Sequence, residues 1–205
     1  MDAHAWDQRY AASEQVWSLG PNQFVASELD DLAPGRALDL ACGEGRNALW
    51  LAGRGWQVTA LDFSAVAVER GRRLAVDLPV TWQVGDVLTA ELPPADLAVL
   101  AYLQLVEDER RTAVRRAWAA LDPGGRLLVV AHDRTNLTEG TGGPQDPRVL
   151  YTAEDVLADL DGERFEVERA LRVERVVHGQ DAGHEHPGSP DRTAYDVLVR
   201  VVRTA

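Results

Sequence analysis

Short apolar segments alternate with amphipathic segments along most of this chain, and this alternation sharply limits the folds open to it. The apolar segments predict strands at Ala37–Ala41, Val58–Leu61, Val80–Val84, Leu97–Ala101 and Leu127–Ala131. The segments between them predict helices at Ala48–Arg54, Ser64–Ala75 and Asp108–Leu121. Strands that alternate with helices build βαβ units, so we expect an α/β domain with a parallel sheet.

The C-terminal part of the chain follows a different pattern. Residues Phe165–Val177 and Ala194–Val202 alternate apolar and polar positions, as half-exposed antiparallel strands do. No helix separates these two strands, and a parallel return would need a long crossover, so they must be antiparallel to each other. A capping box at Thr152 and Asp155 predicts a short helix just before them, and Asn22 predicts the start of a helix through Leu32.

A glycine-containing segment, LDLACGEGRNA, follows the first predicted strand and precedes a helix. Glycine has no Cβ, so Gly43 and Gly45 allow the backbone to turn tightly and to approach a ligand closely. The segment also fits the G-x-G-x-x-A fingerprint of dinucleotide-binding loops, and Asp62 lies at the spacing where that fingerprint places a ribose-binding acid. The loop alone therefore leaves a dinucleotide site open.

Three further features argue against the dinucleotide interpretation. Asp39 lies within the first strand, close to the glycines, where a carboxylate would repel a pyrophosphate but attract an ammonium or sulfonium group. Asp86 ends the third strand, where a carboxylate can accept a hydrogen bond from an adenine amino group. The segment LDPGGRL precedes the fifth strand, and it is similar to the corresponding turn of methyltransferases.

The ordered segments LDLACGEGRN, ALDFS, VGDV and LDPGGRLLVV together resemble the motif set of class I S-adenosylmethionine-dependent methyltransferases. Within that class, WDQRY and GPNQF followed by LDLACGEGRNALWLA are similar to the tellurite-resistance and thiopurine-methyltransferase-like branch. The resemblance implies a Rossmann-like, seven-stranded, mostly parallel sheet with helices on both faces and a C-terminal antiparallel hairpin. It also implies S-adenosylmethionine as the cofactor and methyl transfer as the reaction, but it does not name the acceptor.

The cofactor site implied by this resemblance draws on eleven residues. Asp62 would bind the ribose hydroxyls, Asp86 the adenine amino group, and Arg46 or Arg9 the cofactor carboxylate. Asp39 would orient the glycine loop or reach the methionine ammonium. The full predicted set is Arg9, Asp39, Ala41, Gly43, Gly45, Arg46, Asp62, Phe63, Asp86, Val87 and Ala101. Each also has a simpler interpretation, such as a turn residue, a surface ion pair or part of the core.

The acceptor side of the site is predicted at the carboxyl ends of the fourth and fifth strands, where α/β sheets bind their ligands. Tyr102, Gln104 and His132 lie there, and none of them forms a catalytic dyad that can be recognised from the sequence. Trp6 and Tyr10 lie on one face of a helical N-terminal segment, which we expect to act as a lid. The alternative is that these aromatic side chains only cover apolar surface. The catalytic residues stay unknown.

One domain is expected over residues 1–205, divided into an N-terminal lid with helices at 1–33, a cofactor-binding core at 36–133 and an acceptor-side region at 134–205. The formal net charge of −12 argues against nucleic-acid and anionic membrane partners and favours a small-molecule acceptor. The single cysteine, Cys42, suits a reducing cytoplasm, no apolar run reaches the length of a membrane span, and the oligomeric state is open.

Two other functions are compatible with these motifs, and one histidine-containing segment suggests a metal site. A nicotinamide-dependent oxidoreductase would use the same glycine loop, and a non-catalytic S-adenosylmethionine-binding regulatory module would carry the same cofactor motifs. His184 and His186 invite a metal interpretation, but two histidines two residues apart do not share a helix face, so no metal site is predicted. Cys42 has no neighbouring base in the sequence and is not expected to act as a nucleophile.

Overall fold

A computed structural model describes residues 3–12, 20–178 and 190–204 of the chain. Seven strands of these described residues form one sheet in the order β3-β2-β1-β4-β5-β7-β6. The strands are β1 (Arg36–Leu40), β2 (Gln57–Asp62), β3 (Val80–Val84), β4 (Ala95–Ala101), β5 (Leu121–His132), β6 (Phe165–Val177) and β7 (Arg192–Arg203). The helices are α1 (Ala3–Ala11), α2 (Gln23–Leu29), α3 (Arg46–Gly53), α4 (Ala65–Leu74), α5 (Glu107–Ala119), α6 (Asn136–Glu139) and α7 (Ala153–Asp159).

The direction of the strands changes once along the sheet. Strands β1 to β5 pair in parallel, whereas β7 pairs antiparallel with both β5 and β6. The predicted seven-stranded, mostly parallel sheet with a C-terminal antiparallel hairpin is therefore confirmed. The strand order reverses between β1 and β4, and this switch point is where ligands bind in sheets of this kind.

Helices cover both faces of the sheet, as predicted. On one face, α5 and α7 bury apolar side chains such as Trp118 and Val156 against the centre of the sheet. On the other face, α2 and α3 pack Leu29 and Leu51 against β1, β4 and β5. The sheet is therefore packed between two apolar cores, one on each face.

Strand β5 begins earlier than its sequence predicted. We expected the helix to end at Leu121 and the strand to start at Leu127, with the segment LDPGGRL as a turn between them, but β5 already begins at Leu121. Leu121 pairs with Ala95 and the pairing resumes at Arg126 with Leu97, so the intervening residues form a bulge inside the strand. A proline and two glycines tolerate this irregular backbone, which is why the segment looked like a simple turn.

The predicted helix starts are confirmed in three places. The Asn22 side chain accepts from the amides of Phe24 and Val25 and caps α2, which ends at Leu29 instead of Leu32. The Ser64 side chain caps α4. Thr152 and Asp155 form the reciprocal capping box of α7. None of the described helices is long and apolar enough to cross a membrane.

Candidate functional site

The loop that joins β1 to α3 has the backbone expected of a ligand-binding turn. Ala41, Gly43 and Gly45 adopt left-handed conformations with φ values of 57°, 57° and 81°. Such values are unfavourable for residues with a Cβ, so glycine is favoured at positions 43 and 45, although Ala41 adopts the same conformation. Gly45 has a second reason, because a Cβ there would overlap the indole ring of Trp82. Trp82 of β3 therefore excludes a larger side chain at position 45.

Asp39 holds the start of α3 from inside the core. Its Oδ2 atom accepts a hydrogen bond from the Ala48 amide at 2.9 Å, and the residue is only 1% exposed. The predicted orienting role of Asp39 toward the glycine loop agrees with this contact. Burial raises the pKa of Asp39 to about 7, although the Ala48 amide and the Arg46 charge oppose the shift. With a pKa of about 7, Asp39 is only about half ionised at pH 7, so a cation placed beside it would stabilise the ionised form.

Asp62, at the end of β2, ties the glycine loop to the start of α4. One carboxylate oxygen accepts from the Gly43 amide at 2.8 Å, and the other accepts from the Ser64 amide at 2.9 Å. Each carboxylate oxygen has a further lone pair, so these contacts leave room for hydroxyl donors. Burial raises the pKa of Asp62 as well. The ribose-binding role remains a prediction, and it is compatible with this geometry.

The N-terminal helix α1 docks on this same corner of the sheet. The Asp7 side chain accepts from the Ser64 hydroxyl and lies 3.4 Å from the Val66 amide, so it supports the start of α4. Tyr10 is 3% exposed, and its ring centroid lies 5.6 Å from that of Trp6. The sequence indicated the aromatic pair but missed Asp7. A single aspartate between Trp6 and Tyr10 gives no sequence pattern that predicts this contact. Helix α1 thus packs on the start of α4, beside the predicted ribose-binding residue Asp62.

The remaining predicted cofactor residues occupy several environments. Arg46 begins α3 near Asp39 and Tyr102, and burial lowers the pKa of its guanidinium. The Arg9 guanidinium lies 5.0 Å from the centroid of the Trp6 ring. Phe63 and Ala101 are half-buried at the ends of β2 and β4. Their contacts with a cofactor stay predictions.

Asp86 and Val87 follow β3 and differ in exposure. Asp86 is exposed, and its Oδ1 atom accepts from the Leu88 amide at 2.9 Å within a turn. Its other carboxylate oxygen makes no hydrogen bond among the described residues. Val87 is 6% exposed and packs in the core with Leu61, so its side chain belongs to the apolar core beneath the end of β3. The adenine-binding role of both residues stays a prediction.

A cluster of polar side chains lies at the carboxyl ends of β4 and β5, on the face of the sheet that α2 and α3 cover. Its centre is Asp196 of β7, which is fully buried. The Asp196 Oδ2 atom accepts from the Tyr102 hydroxyl at 2.8 Å and from Arg175 Nε at 2.7 Å. His132 Nδ1 lies 3.1 Å from the Asp196 Oδ1 atom. We call these four residues the Asp196 cluster.

The sequence indicated Tyr102 and His132 but missed Asp196 and Arg175. Both missed residues are charged positions in the alternating strands β7 and β6, where charges usually face solvent. Burial raises the pKa of Asp196, but His132 and Arg175 outweigh it and hold that pKa below its usual value. Gln104 lies beside the cluster with its amide committed to backbone: Oε1 accepts from the His132 amide at 2.9 Å, and Nε2 donates to the Val149 carbonyl.

The loop after β5 closes over the cluster. Asn136 is 3% exposed; its Oδ1 atom accepts from the Tyr195 amide, and its Nδ2 donates to the Gly142 carbonyl. These contacts bring Gly143 against the His132 ring, because a Cβ at Gly143 would lie 2.9 Å from the ring Cδ2. Gly143 also has a φ of 76°. The loop is therefore held by hydrogen bonds, with a glycine where the histidine ring needs space.

The metal prediction concerns residues that the structure does not describe. His184 and His186 lie outside the described residues. Among residues 3–12, 20–178 and 190–204, no group of three or more histidine, cysteine, aspartate or glutamate side chains is arranged to hold a metal ion. Cys42 is buried, and burial raises the pKa of its thiol well above the usual value, which opposes a nucleophilic role.

Comparison with known proteins finds a family match over the central segment of the chain. Residues 37–125 match the family model described as a methyltransferase domain. An uncharacterized methyltransferase of Mycobacterium tuberculosis is 38% identical over 133 residues, which are 62% of this chain and 66% of that protein. The chain therefore spans slightly less than two thirds of that relative. A probable thiol methyltransferase of Arabidopsis thaliana is 29% identical over 174 residues, 79% of this chain and 75% of that protein.

Solved structures show the same fold. The N-methyltransferase NodS of Bradyrhizobium japonicum in complex with S-adenosyl-L-homocysteine superposes with a TM-score of 0.73 at 20% identity, covering 100% of both chains. TehB of Haemophilus influenzae superposes with a TM-score of 0.70 at 17% identity, covering 90% of this chain and 63% of TehB.

The matched segment and the fold point to the same class. Residues 37–125 match a methyltransferase-domain model, and the donor of that class is S-adenosylmethionine. The predicted resemblance to class I S-adenosylmethionine-dependent methyltransferases is confirmed by this match and by the shared fold, and the likeness to TehB is one of fold.

Proposed function

We propose that the whole protein transfers the methyl group of S-adenosylmethionine to a small-molecule acceptor. The observation that carries this proposal is the glycine loop, which lies at the switch point between β1 and β4 with two buried carboxylates, Asp39 and Asp62, directly behind it. Buried acids without a full set of cationic partners favour a ligand that brings positive charge. S-adenosylmethionine carries an ammonium and a sulfonium, whereas a dinucleotide would bring a pyrophosphate to the same loop.

The binding roles in this proposal follow the chemistry of the side chains. Asp62 accepts from the ribose hydroxyls, and Asp86 accepts from the adenine amino group with the carboxylate oxygen that the turn leaves available. Arg46 pairs with the cofactor carboxylate, and Asp39 faces the ammonium. The cofactor supplies an electrophilic methyl group, and the protein supplies proximity and alignment.

The acceptor in this proposal is a small molecule, for three reasons. Among the described residues, helix α1 packs beside Asp62 and the loop after β5 packs on His132, so both flank the carboxyl edge where an acceptor would enter. The formal net charge of −12 opposes a phosphate backbone. The plant relative is named for action on thiols, and a thiol is a small-molecule acceptor of this kind. We place the protein in the cytoplasm, because its single free cysteine suits a reducing compartment.

The proposed division of the chain assigns a task to each part. Residues 1–33 act as a lid with helices, residues 36–133 bind the cofactor, and residues 134–205 form the acceptor side. The contact of Asp7 with Ser64 supports the first assignment, because it links α1 to the helix that begins beside Asp62. The Asp196 cluster supports the last, because residues of 134–205 supply two of its four members.

Calorimetry with S-adenosylhomocysteine and NAD tests the proposal. S-adenosylhomocysteine should bind and NAD should not. The variant Asp62→Asn should weaken S-adenosylhomocysteine binding by about 2 kcal/mol, because a charged acceptor for the ribose hydroxyls is lost. Asp96→Asn is the matched control, since Asp96 starts β4 at the opposite edge of the sheet and pairs there with Arg36. Tighter binding of NAD than of S-adenosylhomocysteine would refute the proposal.

A further inference from the structure

The Asp196 cluster contains more polar groups than a simple buried ion pair needs. Arg175 and Tyr102 both bond to the Asp196 Oδ2 atom, so the carboxylate charge is already balanced on that side. The second oxygen, Oδ1, faces only the Nδ1 atom of His132 at 3.1 Å. Both atoms are buried, and neither has a well-directed hydrogen bond to any group among the described residues, each other included. Asp196 is nevertheless the polar group within reach of Nδ1 on that edge of the ring.

The surroundings of the His132 ring fix its orientation. The Tyr102 ring lies with its centroid 4.8 Å from that of His132, and the Gly143 backbone packs against the ring from the loop after β5. The Nδ1 edge faces Asp196, and Nε2 on the opposite edge has no hydrogen-bond partner in the described part of the chain. Gly143 lies beside Nε2, where a Cβ would approach that atom to 3.0 Å, so the glycine keeps this edge of the ring less crowded. The His132 side chain is 14% exposed.

The cluster and the glycine loop share one corner of the molecule. Tyr102 ends β4 with a φ of 60°, and Arg46 of the glycine loop lies close enough to interact electrostatically with both Tyr102 and Arg175. His132 ends the neighbouring strand β5 on the same face. The imidazole thus stands beside the loop that receives the methyl donor, at the side where an acceptor would approach.

We propose that His132 is the catalytic proton acceptor for a weakly acidic acceptor group, with Asp196 as its positioning residue. The proposal rests on the function proposed above. In the step, His132 Nε2 takes the proton of the acceptor X–H, and the electron pair of X forms a bond to the methyl carbon. The bond between that carbon and the sulfonium sulfur breaks, and its electron pair stays on the sulfur of S-adenosylhomocysteine. The proton on His132 then passes to water.

Asp196 and Arg175 have separate tasks in this step. Asp196 accepts a hydrogen bond from the Nδ1–H group and thereby selects the tautomer that leaves Nε2 bare. It also stabilises the imidazolium after the proton arrives. Arg175 holds Asp196 in its charged form in a site that water barely reaches.

Nitrogen NMR of the histidine rings tests the tautomer without any acceptor. The full chain, labelled with ¹⁵N-histidine and saturated with S-adenosylhomocysteine at pH 8, should show one ring with Nδ1 protonated and Nε2 bare. The variant His132→Asn should remove that signal and assign it. Asp196→Asn should shift the population of this ring toward the other tautomer. If the signal that His132→Asn removes instead shows Nε2 protonated in the unmodified protein, the proposal is overturned.

Methyl transfer to two probe thiols tests the proton transfer. Benzyl mercaptan is protonated at neutral pH, as the cysteine thiol with its pKa of about 8.5 is, whereas the nitro group makes 4-nitrothiophenol anionic. His132→Asn and Asp196→Asn should lower transfer to benzyl mercaptan by about 100-fold at saturating cofactor. Transfer to the anionic thiol should change by less than about threefold, because no proton has to leave.

A second His–Asp pair on the surface provides the matched control. His178 Nδ1 also lies 3.1 Å from an aspartate oxygen, that of Asp191, but both side chains are exposed. His178→Asn should leave both transfer rates unchanged. Equal loss with both thiols in His132→Asn would overturn the proposal, since it would indicate a structural role. If neither thiol is methylated, the NMR result decides. A chain that does not bind S-adenosylhomocysteine at all would instead refute the proposed function.

Discussion

The buried carboxylate of Asp39 predicts that cofactor affinity depends on pH. Asp39 is 1% exposed, and burial raises its pKa to about 7 in the unliganded protein. A bound ammonium would favour the ionised form, so the pKa of Asp39 should fall on binding. At pH 5.5 only about 3% of an acid with a pKa near 7 is ionised, and ionising it costs about 2 kcal/mol. S-adenosylhomocysteine should therefore bind roughly 20-fold more weakly at pH 5.5 than at pH 7.5.

Calorimetry at half-unit steps between these pH values measures the effect, and Asp39→Asn provides the comparison. The asparagine keeps an oxygen that can accept from the Ala48 amide, but it does not titrate. Its affinity should be lower than that of the unmodified protein at pH 7.5 and should vary much less with pH. Any remaining slope belongs to Asp62, whose pKa burial also raises.

The unliganded protein supplies an independent control on folding. The folded-state pKa of Asp39 is higher than its unfolded value, so the folded chain binds more protons. The free energy of unfolding should then decrease as the pH rises from about 4 to about 7, and Asp39→Asn should remove this decrease. A variant that melts normally but keeps the full pH dependence of S-adenosylhomocysteine binding would refute the argument.

Three further predictions concern other parts of the molecule. Arg110 Nε lies 2.7 Å from Asp159 and both side chains are buried, so Asp159→Ala leaves a buried charge unpaired. This variant should lower the free energy of unfolding by about 3 kcal/mol in a denaturant titration, and an unchanged midpoint would contradict the prediction. Cys42→Ala should leave methyl transfer to 4-nitrothiophenol unchanged, since the thiol is buried and neutral, and a loss of more than about tenfold would indicate a role in the reaction. Removal of residues 1–20 should leave a folded chain that binds S-adenosylhomocysteine but transfers methyl groups much more slowly; an undiminished rate would exclude a lid.

Local sequence determined the order of elements and the cofactor side of the site. The strands, the Ser64 and Thr152 caps and the glycine loop all depend on residues close together in the chain, where side-chain spacing and backbone preference act directly. Asp39 and Asp62 follow the same rule, because their positions in or at the end of a strand place them beside the loop. These features could therefore be predicted from the sequence.

The acceptor side was decided by tertiary structure. Asp196 meets His132 because β7 pairs antiparallel with β5 in the register that sets the two residues opposite each other. Tyr102 reaches Asp196 across 94 residues of sequence, and Asp7 reaches Ser64 across 57. Strand register is set by how the whole sheet packs, and no local pattern marks which charged position of a terminal strand becomes buried. The sequence alone therefore identified a histidine without its partner, and only the assembled sheet supplied the carboxylate that orients it.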